Sequence, residues 1–186
     1  MSKYTGWKKR YSYLDDYKRG MDGSYVYYGR HYIYKGSGFS LKQYKCMLGL
    51  LDLLLAALFI AGGFQNGGVI WSTWYVVVPY AVEAVVIFLM LWKTLSVVIE
   101  KVPLKAHIYQ KTVPWFRPLS FILAVIALIS LLGTVLCLIL RPDEIRLTGC
   151  IIYIAIKAVT ACTGILFAGR INTSDWEPDP DEELTI

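Results

Sequence analysis

The sequence predicts an all-α membrane protein. It reads as a four-transmembrane-helix bundle, preceded by a cytoplasmic amphipathic helix and a small β-hairpin and followed by a disordered acidic C-terminal tail. Three observations carry this. Apolar residues fill 56% of the 186 positions and the mean hydropathy is +0.47, above the roughly 45–50% apolar content of soluble domains. The excess is gathered in four blocks, at about residues 44–64, 70–98, 118–140 and 149–169. Each is near or above the ~20 residues that cross a ~30 Å hydrocarbon layer, and continuous apolar runs of that length mean helices. Lastly, Lys and Arg are asymmetric: ten precede Cys46, and Lys93, Lys101, Lys105, Lys111 and Arg117 flank or fill the second connection. The first connection, residues 65–68, has no charge, and the third sets Arg141 and Arg146 against Asp143 and Glu144. That bias places the N-terminus, the second connection and the C-terminus in the cytoplasm of a bacterial plasma (inner) membrane.

The formal net charge of +5 then reflects topology and contact with an anionic inner leaflet. No nucleic-acid-binding motif accompanies it, so no nucleic-acid partner is expected. No early apolar segment resembles a secretory signal, so the first span is expected to act as an uncleaved insertion signal.

Three regions follow: a Tyr-rich basic segment (1–41), the membrane domain (42–170) and the acidic tail (171–186). Within 4–19, Tyr4, Trp7, Tyr11 and Leu14 recur at helical spacing with Lys8, Lys9 and Arg10 off the stripe. This predicts a short amphipathic helix suited to the membrane surface or to the inner end of the bundle. Residues 24–34 predict a β-hairpin turning at Gly29-Arg30, a two-residue type II′ turn. That register pairs Tyr27 with Tyr32 and Tyr25 with Tyr34, so Trp7, Tyr11, Tyr25, Tyr27, Tyr32 and Tyr34 are candidates for a lipid or partner surface. A lone hairpin is marginal in water, so it should pack on something.

The first span carries Asp52, an Ala57/Ala61 small-residue face and a terminal Gly62-Gly63. The second is bounded by Trp71, Trp74 and Tyr75 at one interface and Trp92 at the other, and it holds Pro79 and Glu83. Residues 103–118 predict a basic cytoplasmic loop, in which residues 103–109 could form an interfacial turn of helix. The third span has no ionisable residue between Leu119 and Leu140 and could face lipid widely. The fourth carries Lys157. The tail collects Asp175, Glu177, Asp179, Asp181, Glu182 and Glu183 with two prolines, a composition expected to stay disordered. No internal repeat is evident.

The intramembrane charges are the candidate site. An ionised side chain at a helix centre costs on the order of 2.5–3.5 kcal/mol on the insertion scale, and each Leu, Ile, Phe or Val returns about 0.3–0.6. Ten such residues around Glu83 return roughly 3–6 kcal/mol, so the second span inserts regardless. Eight around Lys157 return roughly 2.4–4.8 kcal/mol, which the lysine nearly cancels. The fourth span therefore needs a counter-charge. Glu83 and Lys157 both lie ~12–15 Å below the outer edge, whereas Asp52 is nearer the inner face. A buried Glu83–Lys157 ion pair is expected, with Tyr80 and Tyr153 as hydrogen-bond donors. Cys137 and Cys150 fall at the outer ends of their spans, where either a disulfide or buried free thiols fit. The four cysteines form no CxxC, and no metal site, cofactor or enzyme constellation is expected.

Two functions fit. One is a non-enzymatic accessory or interaction subunit with another membrane or cytoplasmic protein as partner. The other is a small transporter or proton-coupled permease, a homo-oligomer, using Asp52, Glu83 and Lys157.

Overall fold

The computed structural model describes residues 17–19, 24–27, 29–36, 39–64, 73–100, 103–140 and 147–179. Four long helices dominate: α1 (Leu41–Phe64), α2 (Trp74–Ile99), α3 (Ala106–Leu140) and α4 (Leu147–Arg170). Each is long and apolar enough to cross a membrane, so the chain is a multi-pass membrane protein built on a helix bundle. Among the described residues five short strands accompany them: β1 (Tyr17–Arg19), β2 (Tyr25–Tyr27), β3 (His31–Tyr34), β4 (Leu104–Lys105) and β5 (Trp176–Pro178).

The helices close a ring, with α1 against α2, α2 against α3, α3 against α4, and α4 back against α1. Their interior reads unlike that of a soluble bundle. Asp52, Glu83, Ser120, Ser130, Thr134, Lys157 and Thr160 are buried, while Val85, Phe88, Phe121, Leu132 and Ile139 lie outward. Lipid tails solvate apolar side chains as well as a core does, so helix association there rests on small and polar residues. Ser120, Thr134, Thr160 and Thr163 each donate to the carbonyl four residues earlier, which satisfies their hydroxyls without a partner helix. Glycine sets the closest approaches. A Cβ on Gly164 of α4 would come within 3.0 Å of the Ser120 carbonyl oxygen of α3. Pro79 cannot donate to the Tyr75 carbonyl, and that oxygen instead meets Gly133 of α3, where a Cβ would stand 2.9 Å away.

Local signals explain the helix ends. Ser40 and Gln43 form a capping box on α1: Gln43 N–H donates to Ser40 Oγ (3.3 Å) and Ser40 N–H to Gln43 Oε1 (2.9 Å). At the far end of α2, Lys45 of α1 donates to the Glu100 carbonyl (2.7 Å), covering one of the acceptors a helix leaves open.

Several expectations need correction. The basic stretch before the third span is helix rather than loop. α3 starts at Ala106 and runs 35 residues through Pro114 and Pro118, about 52 Å of helix, so its first turns extend past a ~30 Å bilayer. Between Leu119 and Leu140 much of the surface of α3 points outward, with Phe121, Leu132 and Ile139 exposed, while a stripe from Val113 to Cys137 is buried between α2 and α4. Among the described residues the predicted hairpin pairing does not occur. β2 pairs antiparallel with β1, Tyr17 opposite Tyr27. β3 is instead the centre of a three-stranded antiparallel sheet, with β4 on one edge and β5 on the other. Residues 17–19 are therefore strand, not the last turn of a helix over 4–19; Trp7, Tyr11 and the rest of that segment lie outside the described residues. The tail is not wholly irregular, since Trp176–Pro178 forms β5; residues 180–186 lie outside the described part.

The physical reason is aromatic burial. Tyr32 stacks on Tyr109 of α3 (centroids 4.1 Å apart, planes at 9°), and Tyr34 stacks on Tyr44 of α1 (4.7 Å) and meets Trp176 edge-on (5.4 Å). A hairpin over 24–34 would leave those rings on a two-stranded ribbon; the observed sheet closes them over the ends of α1 and α3. Pro178, which has no N–H, sits on an edge strand, where that loss is tolerated. The sheet fixes one topological fact. The N-terminal strand β3, the α2–α3 connection and the tail are at one end of the bundle.

Candidate functional site: the enclosed ion pair and its surroundings

Glu83 belongs to the buried stripe Val76, Glu83, Ile87, Met90, Thr94 and Val97 of α2. Lys157 belongs to the stripe Cys150, Tyr153, Lys157, Thr160, Gly164 and Phe167 of α4. Both charges thus follow the helical periodicity of the interior-facing residues. Lys157 Nζ donates to Glu83 Oε2 at 2.5 Å, and both side chains have 0% exposure.

Three aromatic rings surround the ammonium, with centroids at 4.8 Å (Tyr80), 5.1 Å (Tyr153) and 6.0 Å (Phe59). A desolvated cation over such faces gains about 2 kcal/mol. Gly62 of α1 completes the wall; a Cβ there would already sit 3.7 Å from Lys157 Nζ. Neighbouring Gly63 admits Tyr80, whose hydroxyl a Cβ would approach to 2.5 Å. Gly62-Gly63 lies in the last turn of α1, which ends at Phe64, and it makes room for the cage.

The hydroxyls of Tyr80 and Tyr153 are both hydrogen bonded. The Tyr80 hydroxyl donates to the Phe59 carbonyl (3.0 Å), and the Tyr153 hydroxyl shares a hydrogen bond with Ser130 Oγ (2.8 Å). Their contribution to the lysine is the ring face. Those bonds lock both rings: one ties α2 to α1, the other α4 to α3. Glu83 Oε1 is left with no hydrogen-bond partner.

Asp52 stands apart. It is buried on α1, ten residues before Gly62 and so about 15 Å along the axis from the cage. Its polar neighbour is Thr94 of α2, yet neither Asp52 Oδ2 nor Thr94 Oγ1 is hydrogen bonded. The structure therefore joins Glu83, Lys157, Tyr80 and Tyr153 into one constellation and leaves Asp52 outside it.

Cys137 and Cys150 are free and fully buried. The possible disulfide is not formed; Cys150 packs as a small apolar group with Val76 and Tyr153. Among the described Tyr-rich candidates, only Tyr25 is strongly exposed, at 72%. Tyr27 lies against Tyr17, His31 and His107, while Tyr32 and Tyr34 are interior contacts rather than a free surface. Sequence reasoning missed Phe59, Gly62, Gly63 and Ser130. Phe59 and Gly62 share one α1 face by their spacing of three, and that was the available signal.

Outside the pair, three clefts formed by described residues lie on the sheet-bearing half, between α2 and α3 or beside Arg117 and Gly169, and none of the three includes Glu83, Lys157 or Asp52. Among the described residues no group of His, Cys, Asp and Glu is placed to hold a metal ion. No family model, curated protein or solved structure matches the chain.

Proposed function

We propose that the protein is a non-enzymatic accessory or interaction subunit of a membrane complex, in a bacterial plasma membrane with both termini cytoplasmic. One observation carries this reading: Glu83 and Lys157, two of the three intramembrane charges that would mark a transport path, neutralise each other inside an aromatic cage. A buried pair of this kind is weak evidence for net stability but can specify a unique arrangement. It fits a helix-ring lock better than a substrate port. The cytoplasmic orientation rests on the Lys/Arg bias and is compatible with the shared end of β3, β4 and β5. That end presents Lys18, Arg19 and Tyr25 as exposed residues, a surface suited to a protein partner.

Affinity purification in a mild detergent tests this. A second membrane or cytoplasmic protein at fixed stoichiometry is expected, reduced when Lys18, Arg19 and Tyr25 are replaced together by Ser. A chain that purifies alone from its native membrane overturns it.

A second reading, a small oligomeric transporter or proton-coupled permease, is favoured by one specific observation. Asp52 Oδ2 and Glu83 Oε1 are buried without hydrogen-bond partners, and intramembrane carboxylates often lie on ion paths. It requires proton or solute flux in proteoliposomes that falls in D52N while the bundle stays folded.

A further inference from the structure

We propose that the cleft between the sheet-side ends of α2 and α3 is a binding site for an anionic glycerophospholipid, its phosphate held between Lys93 and Lys111. The cleft measures about 410 Å³ and is lined by Trp92, Lys93 and Ser96 of α2 and by Gln110, Lys111 and Trp115 of α3, among others.

Its depth is that of a headgroup layer. Trp74 and Trp92 are both exposed on α2 and stand eighteen residues apart, about 27 Å along the helix, close to the ~30 Å hydrocarbon thickness. With Trp74 at one interface, Trp92 and Lys93 reach the other. Trp115, 53% exposed on α3, belongs to the same level, since Lys93 Nζ lies 5.5 Å from its ring centroid.

The cation is positioned rather than loose. Lys93 Nζ donates to the Lys111 carbonyl oxygen at 2.5 Å. That bond uses one of the three N–H donors of an ammonium, and it ties the backbone bearing the second cation to the first. The nearest acid along α2, Glu100, lies in the adjoining cleft and has its carboxylate 3.0 Å from Lys105 Nζ, so its charge is matched there.

A free anion would use only the two lysines. The surface above them suits acyl chains: Phe88 and Val85, both exposed, precede Trp92 by four and seven residues and continue its face of α2 toward the membrane centre. A basic pocket between transmembrane helices at one interface is a setting that anionic headgroups occupy. Neither the partner proposal nor the orientation of the chain enters this inference.

The test uses the full chain in a neutral detergent, titrated with dioleoylphosphatidylglycerol, with dioleoylphosphatidylcholine and with inorganic phosphate. Thermal unfolding and native mass spectrometry are the readouts. Phosphatidylglycerol is expected to raise the Tm and to remain bound one to one, with phosphatidylcholine and phosphate far weaker. The K93Q/K111Q variant should bind phosphatidylglycerol about tenfold more weakly, whereas K42Q/R170Q, which removes two exposed cations elsewhere on that end, should bind it as the parent does. Equal effects of the two lipids overturn the proposal, as does an equal loss in both double variants. A response to phosphate that matches the anionic lipid overturns it in favour of a free-anion site. Should K93Q/K111Q not fold, K93R/K111R keeps both charges: retained preference for phosphatidylglycerol supports the site, and loss of that preference overturns it.

Discussion

Lys157 decides the chemistry of the bundle interior. Removing it leaves the Glu83 carboxylate buried with neither oxygen paired, because Oε1 already lacks a partner. Lys157→Leu should therefore lower stability by about 3–5 kcal/mol, read as reduced folded yield and Tm in detergent. Glu83→Leu strands the ammonium and should cost on the same order, softened by the rings of Tyr80, Tyr153 and Phe59. The double variant should recover most of either loss, since an apolar pair of similar volume meets no desolvation cost. A double-mutant cycle with a coupling near zero would remove the pair from any structural role. This residue-scale feature was legible in the sequence because the cost of one charge in one span is local arithmetic. The cage was not. Which ring faces an ammonium depends on how α1 rotates against α4, and the glycines that allow it read equally well as a helix end.

The sheet shows where local pattern fails at the scale of elements. The alternating run around Gly29-Arg30 has the form of a hairpin, yet β3 takes its partners from residues 104–105 and 176–178. The first of those partners directly precedes α3, the second begins six residues after α4 ends, and neither carries a strand signature of its own. Tertiary burial of Trp176, 5% exposed, outweighs the local turn. Trp176→Ala should cost about 3 kcal/mol, and hydrogen exchange at residues 31–34 should accelerate with it. The start of α3 was hidden similarly, because Pro114 and Pro118 resemble loop punctuation. The four spans were readable since hydropathy is summed over twenty residues and tolerates such interruptions. Between helices, the glycine contacts carry a second expectation. Gly133→Ala and Gly164→Ala push a Cβ against backbone of the facing helix and should each lower stability by about 1–3 kcal/mol, measured as Tm, while Gly49→Ala, which meets nothing within 4 Å, should be neutral or better. At β4, the hydrogen bond from Lys105 to Glu100 holds the Lys105 ammonium above the usual lysine range. A raised lysine pKa adds stability that is complete below the ordinary value and disappears as pH climbs through the raised one. The Tm difference between the parent and K105Q should thus stay constant through neutral pH and shrink only in strong alkali.

At the scale of the whole molecule, the ring of four helices and the sheet that joins three distant segments act as one closed unit. β3 clamps the α2–α3 connection to the tail, and the cage clamps α1, α2 and α4 around Lys157. The central claim is that Glu83 and Lys157 lock this unit rather than serve a path through it. One measurement separates these: the Glu83→Leu/Lys157→Leu double variant, purified in mild detergent beside the parent and reconstituted for proton flux. A lock predicts that the double variant is monodisperse, has nearly the parent Tm, and keeps any co-purifying subunit at the parent stoichiometry with no change in flux. A folded double variant that has lost a flux present in the parent would contradict it and make the pair a site.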